Sequence, residues 1–106
     1  ISIGKPQPAI GSPKKSPAYT ETADDYYNRG VDYVKQRNLL QAIPEFTKAI
    51  EINPNLAEAY YNCGVVYYGM KEFDKAWRDV HKVEELRFAI NPAFLNALKK
   101  ASGRDK

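Results

Sequence analysis

Set against itself at an offset of 34 positions, the chain repeats. Ala23, Tyr26, Tyr27, Asn28, Gly30, Val31, Tyr33, Ala42, Lys48 and Glu51 return as Ala57, Tyr60, Tyr61, Asn62, Gly64, Val65, Tyr67, Ala76, Lys82 and Glu85. A fixed period of roughly 20 to 50 residues marks an architecture of stacked units, each burying its apolar face on a neighbour. Inside a unit the spacing is helical: Tyr26, Gly30 and Tyr33, then Ala42, Phe46, Ala49 and Ile50, advance by threes and fours. Only the short polar stretch Lys35 to Asn38 separates these stripes, so the two helices must turn back on each other. The sequence predicts an all-α chain of tandem antiparallel helical hairpins, an α-solenoid of about five helices.

Two glycines lie inside the predicted helices, at Gly30 and Gly64, where each costs about 1 kcal/mol relative to alanine. A second helix crossing too near for a Cβ would offset that cost, with small Ala42 and Ala76 across the contact. Asn53-Pro54 ends the first unit. Pro44 falls within a predicted helix and removes the donor to the Leu40 carbonyl, close enough to the first turn to limit the damage.

The periodic body has different flanks. Residues 1-22 hold Pro6, Pro8, Pro13 and Pro17 among Gly, Ser and Lys and read as a linker or disordered arm. The units then run over 23-56 and 57-90, and 91-106 follow as a last helix and basic tail. In that last part Asn91-Pro92 reads as an N-cap with proline at the first helical position. Phe94, Leu95 and Leu98 form its apolar stripe, and Lys99, Lys100 and Arg104 trail at its negative end.

These residues resemble the tetratricopeptide repeat. Tyr26, Gly30, Tyr33, Ala42, Phe46, Ala49 and Pro54 stand where that family places aromatic, Gly, aromatic, Ala, aromatic, Ala and Pro. The second unit keeps Tyr60, Gly64, Tyr67 and Ala76. It departs at Val80, Val83 and Phe88, and Phe88 in place of proline is expected to let the last hairpin helix run on. Residues 92-101 resemble the capping helix that seals such arrays.

Charge and composition narrow the function classes. The net charge is +3, but Lys5, Lys14, Lys15, Lys99, Lys100, Arg104 and Lys106 place the basic excess at the two ends, leaving 23-98 net acidic. That distribution argues against a nucleic-acid surface, which gathers Lys and Arg on one folded face. No apolar run approaches the roughly 18 to 20 residues of a membrane span. The one cysteine rules out an internal disulfide framework. Ile1 in first place suggests a processed or excerpted chain, so the compartment, cytoplasmic or exported, stays open.

Catalysis lacks its parts. With one histidine, one cysteine and no glycine-rich phosphate loop, neither a metal site nor a Cys-His or Ser-His-Asp set can be assembled. The chain reads as no enzyme, with no catalytic residues and no cofactor. His81 reads as a solvated imidazole on a charged stretch, Cys63 as a small buried hydrophobe, and Trp77 as a packing residue that receives Phe94 or Leu98.

The resemblance implies a site on the concave face, lined by the first helix of each hairpin. Carried onto this sequence, it consists of Asp24, Tyr27, Val31 and Val34, then Glu58, Tyr61, Val65 and Tyr68, with Asn28 and Asn62 beside them. Where some members grip a terminal carboxylate with Lys, Arg and Asn, this chain has Tyr27, Val31, Tyr61 and Val65, which disfavours a chaperone-tail ligand. An aromatic and aliphatic floor with acidic edges suits a protein or peptide segment with apolar anchors and basic residues, with Tyr61 as central anchor. The other tyrosines, Tyr26, Tyr33, Tyr60 and Tyr67, read as core.

An array of two units is short, since about three are usual. The uncovered face of the first helix therefore predicts a homo-oligomer or a domain-swapped dimer. In this alternative reading the chain is an oligomerisation or assembly unit, its groove filled by a neighbour or by the arm through Ile3, Ile10 and Tyr19.

Overall fold

The computed structural model describes residues 21–106. The arm, with Ile3, Ile10 and Tyr19, lies outside the described residues up to Glu21. The described residues form α1 (Ala23–Lys35), α2 (Leu39–Ile52), α3 (Ala57–Gly69), α4 (Phe73–Glu85) and α5 (Pro92–Ser102), with no strand among them. α1 packs extensively on α2 and α3 on α4; α3 also lies against α2, and α5 against α4. This is the all-α architecture of tandem hairpins that the 34-residue period requires.

Local chemistry fixes the helix ends. Thr22 caps α1: its hydroxyl accepts from the Asp25 amide at 3.2 Å, and its own amide donates to Asp25 Oδ2 at 2.9 Å. Asn91 caps α5 by accepting from the Ala93 amide at 2.8 Å, with Pro92 at the first helical position. Three helices end in the same way, on a residue in the left-handed region: Arg37 (φ 65), Lys71 (φ 63) and Arg87 (φ 61). After each, two amides reach back to the last turn. Asn38 donates to Tyr33 and Arg37 to Val34, Glu72 to Tyr67 and Lys71 to Tyr68, Phe88 to Val83 and Arg87 to Glu84. Orphan carbonyls are thereby satisfied without glycine.

That geometry corrects one expectation. α4 does not run on through Phe88: it ends at Glu85, because Arg87 turns left-handed and the Phe88 amide closes the turn on Val83. Pro44, by contrast, sits within α2 without interrupting it.

Two apolar clusters hold the fold. The first joins Ala42, Phe46 and Ala49 of α2 with Ala59, Cys63 and Val66 of α3. The second joins Ala76, Trp77 and Val80 of α4 with Leu98 of α5. Trp77 therefore packs as expected, with its indole N–H donating to Ser102 Oγ at 3.0 Å. Leu98 falls one period after Gly64 and two after Gly30. Where each hairpin has glycine, the last helix has a fully buried leucine.

The tyrosines expected in the core are only half-buried. Cations lie over three of the rings: Arg29 over Tyr26 at 4.7 Å, Lys82 over Tyr60 at 5.8 Å and Lys75 over Tyr67 at 5.5 Å. They are the edge of the core, roofed by charge.

The uncovered apolar end expected of α1 is absent. α3 turns Ala59, Cys63 and Val66 into the cluster it shares with α2, whereas the same positions of α1 are Asp25, Arg29 and Asp32. Arg29 pairs there with Glu21 and Glu45. The first hairpin thus presents a polar face where the second presents an apolar one.

The two helical glycines also differ. A Cβ on Gly30 would stand 2.6 Å from the ring of Phe46, which is fully buried and has nowhere to retreat. A Cβ on Gly64 would meet nothing nearer than 3.6 Å. Only the first glycine is demanded by close approach, and it is Phe46 rather than Ala42 that demands it. In thermal or urea denaturation Gly30→Ala should cost about 1 to 3 kcal/mol by overpacking, whereas Gly64→Ala should be neutral or gain up to about 1 kcal/mol from helix propensity. Lys71→Gly should likewise stabilise by about 1 kcal/mol, since it relieves a left-handed non-glycine residue.

Candidate functional site

The leading helices α1 and α3 are tied to each other by one side-chain amide. Asn62 of α3 donates through Nδ2 to the Tyr27 hydroxyl at 3.1 Å and to its own helix at the Glu58 carbonyl, 2.9 Å away. Tyr27 rests with its ring 5.8 Å from that of Phe46. Burial raises its phenol above the ordinary value; the Asn62 amide opposes that rise and the Glu58 charge adds to it. Val31 and Val34 pack partly buried against the first cluster, and Val65 is half-buried on α3. Asp24, Asn28 and Glu58 are exposed.

At the other end of the face the rings already have partners. Tyr61 stacks on Phe94 of α5 at 5.8 Å and meets Phe88 edge-on at 6.4 Å, while its hydroxyl accepts from the Asn91 amide at 2.9 Å. Tyr68 meets Phe94 edge-on at 5.8 Å and lies 6.2 Å from Phe73. Tyr61 is therefore not a free central anchor. It is a strut on which α5 and the preceding turn rest, and only part of its ring is open.

Seven of the ten residues named from the sequence thus fall into three sets, beside the partly buried Val31, Val34 and Val65. Tyr27 and Asn62 join the leading helices, Tyr61 and Tyr68 carry the last helix, and Asp24, Asn28 and Glu58 form an exposed polar edge. Phe73, Phe88 and Phe94 were not named for this face, although each touches it. A signal existed for one of them: Phe94 lies one period after Tyr60.

Residues 30–71 match the family model described as TPR repeat, a span that runs from the glycine of the first hairpin to the turn after α3. The two hairpins are tetratricopeptide repeats. The chain is similar to the Hsp70-Hsp90 organising protein of Plasmodium falciparum (isolate 3D7), 32% identical over 76 residues that cover 72% of this chain and 14% of that protein. It is also similar to neutrophil cytosol factor 2 of Bos taurus, 34% identical over 67 residues, 59% of this chain and 13% of that protein. The chain therefore spans about one seventh of either relative.

Cys63 and His81 are the lone cysteine and the lone histidine of this tetratricopeptide array. Cys63 is buried, and burial next to the Asp79 charge pushes its thiol up to about 12. His81 is exposed, with its ring 5.7 Å from that of Trp77. Among the described residues no group of three or more His, Cys, Asp or Glu is placed to hold a metal ion, and no helix is long and apolar enough to cross a membrane.

Because Tyr61 supports α5, its two shortest substitutions should behave differently. Tyr61→Phe removes one hydrogen bond and should cost about 1 kcal/mol. Tyr61→Ala also withdraws the ring from Phe94 and Phe88; it should cost about 3 kcal/mol and raise hydrogen exchange in α5 well before the rest of the chain opens. Equal losses in the two variants would show that the ring contacts contribute nothing.

Proposed function

We propose that the face made by α1 and α3 binds a segment of another protein, extended or helical, that offers apolar side chains to the floor and basic side chains to the rim. The Tyr27–Asn62 hydrogen bond carries this reading, because it holds the two leading helices in one register. Tyr27, Val31, Val34, Val65 and the open parts of Tyr61 and Tyr68 then form the floor, with Asp24, Asn28 and Glu58 along its edge. Tetratricopeptide repeats support a protein-interaction module, and both relatives contain a stretch like this one.

The similarity to an Hsp70-Hsp90 organising protein raises the question of a chaperone segment as ligand. A terminal carboxylate needs cations or free amide donors. The places that would supply them hold Tyr27, Val31, Tyr61 and Val65, and the Asn62 amide is engaged by Tyr27 and Glu58. Exposed Asp24 and Glu58 would repel an acidic tail. The chemistry of this face therefore favours a neutral or basic segment, with affinity near micromolar, about −8 kcal/mol, as a small groove provides.

Two peptides test this directly by fluorescence anisotropy: an amphipathic helix with leucine anchors and lysine flanks, and an acidic peptide with a free C-terminal carboxylate. The basic peptide should bind at least tenfold more tightly. Glu58→Lys with Asp24→Lys, both at exposed positions, should weaken it about tenfold and lower its on-rate; because both acids stand in the first turn of a helix, the pair should also cost about 1 kcal/mol of stability. Preference for the acidic peptide would overturn the proposal.

A further inference from the structure

The 34-residue period relates each position of the first hairpin to one in the second. In the first hairpin, Arg29 of α1 donates through Nε to Glu45 of α2 at 3.2 Å and pairs also with Glu21. One period later the same two positions are Cys63 of α3 and Asp79 of α4. The acid is kept and the cation is gone.

Asp79 is 6% exposed, and its Cβ lies 3.6 Å from where a Cβ on Gly64 would stand. Its Oδ1 is 3.6 Å from Arg78 Nε on the same helix, and its Oδ2 is buried without a hydrogen-bond partner. Arg78 is a loose partner: its side chain is 64% exposed and its guanidinium also lies 5.9 Å from the Tyr67 ring. From α3 the titratable neighbour is Cys63, itself held as the thiol. Cys63 in turn packs with Phe46 and Ala49 of α2, which carry no charge. A carboxylate with one oxygen buried and unpaired is favoured in its neutral form.

We propose that Asp79 makes the packing of α4 on α3 proton-sensitive: close when its carboxyl is protonated, and loosened when it ionises. Burial pushes this acid from 3.8 up to about 6, against the pull of Arg78. The folded chain therefore holds the proton more tightly than the unfolded one. This stabilisation is fully present below about pH 4 and is lost as pH rises through about 6. The difference amounts to about a hundredfold in the unfolding equilibrium constant, of which roughly thirtyfold falls between pH 4.5 and pH 7.5. The inference concerns stability and does not rest on what the concave face binds.

The test compares urea unfolding of the whole chain and of Asp79→Asn across that pH range, so that every other titrating group cancels. The ratio of the two unfolding constants should change roughly thirtyfold, with the wild type losing ground as pH rises. Carbon-13 NMR titration of the Asp79 carboxyl in the wild-type chain gives a readout independent of any variant, with an expected midpoint near pH 6. Hydrogen exchange locates the effect: protection of the Cys63 and Gly64 amides should fall with rising pH, relative to Asp79→Asn. A midpoint near 4, or parallel stability profiles, would overturn the proposal. A protection change confined to α5 would overturn its placement between α3 and α4.

Discussion

α3 has to be apolar on two opposite sides, because α2 lies along one and α4 along the other, and the rest of the molecule is arranged around that requirement. Ala59, Cys63 and Val66 share a core with Phe46 and Ala49 of α2, and Gly64 comes within ordinary contact of the Ala76 carbonyl and Val80 of α4. A helix with that many neutral positions would not stay in solution by itself. Its tertiary contacts on both sides are what make the sequence permissible.

The same positions change character on α1 and on α5. Asp25, Arg29 and Asp32 replace the apolar row on α1, and Leu98 replaces glycine on α5. These substitutions make the α1–α2 hairpin polar on that face and let Trp77 and Leu98 join α5 to the α3–α4 hairpin. A stacked array needs such terminal variations, since each unit otherwise offers its neighbour's binding surface to solvent. Asp79 is the position where the change is incomplete: it retains the acid that suits a charged end but sits where the packing wants a neutral side chain.

The fold was legible because a period of 34 residues, glycine inside helices and breaks of about three residues leave little choice of architecture. Caps at Asn91 and packing at Trp77 followed from local chemistry. What escaped the sequence depended on contacts between elements. Nothing in the string marks Arg37, Lys71 and Arg87 as left-handed, since each is a residue that ordinarily avoids that region, and so the end of α4 was misplaced. The burial of Asp79 was hidden for a similar reason. A charged residue in a charged stretch reads as surface unless the position is compared with Glu45 one repeat earlier. For the concave face, residue identities were legible but their obligations were not: Tyr61 has the chemistry of an anchor, and only the structure shows how much of it is committed to Phe94, Phe88 and Asn91.

That commitment joins two functions that a longer array would separate. In an extended solenoid the capping helix lies many residues from the middle of the groove; here it rests on Tyr61 and Tyr68, half of the aromatic floor. Any occupant that draws the Tyr61 ring toward itself works against the stacking on Phe94, worth about 0.5 to 1.5 kcal/mol beyond area burial, and so against the seating of α5. The reverse also holds, because coupling between two sites is reciprocal in free energy. Among the described residues the cap and the proposed floor are therefore not independent: Tyr61 and Tyr68, which carry α5, are also the ones that the proposed site would offer to a partner.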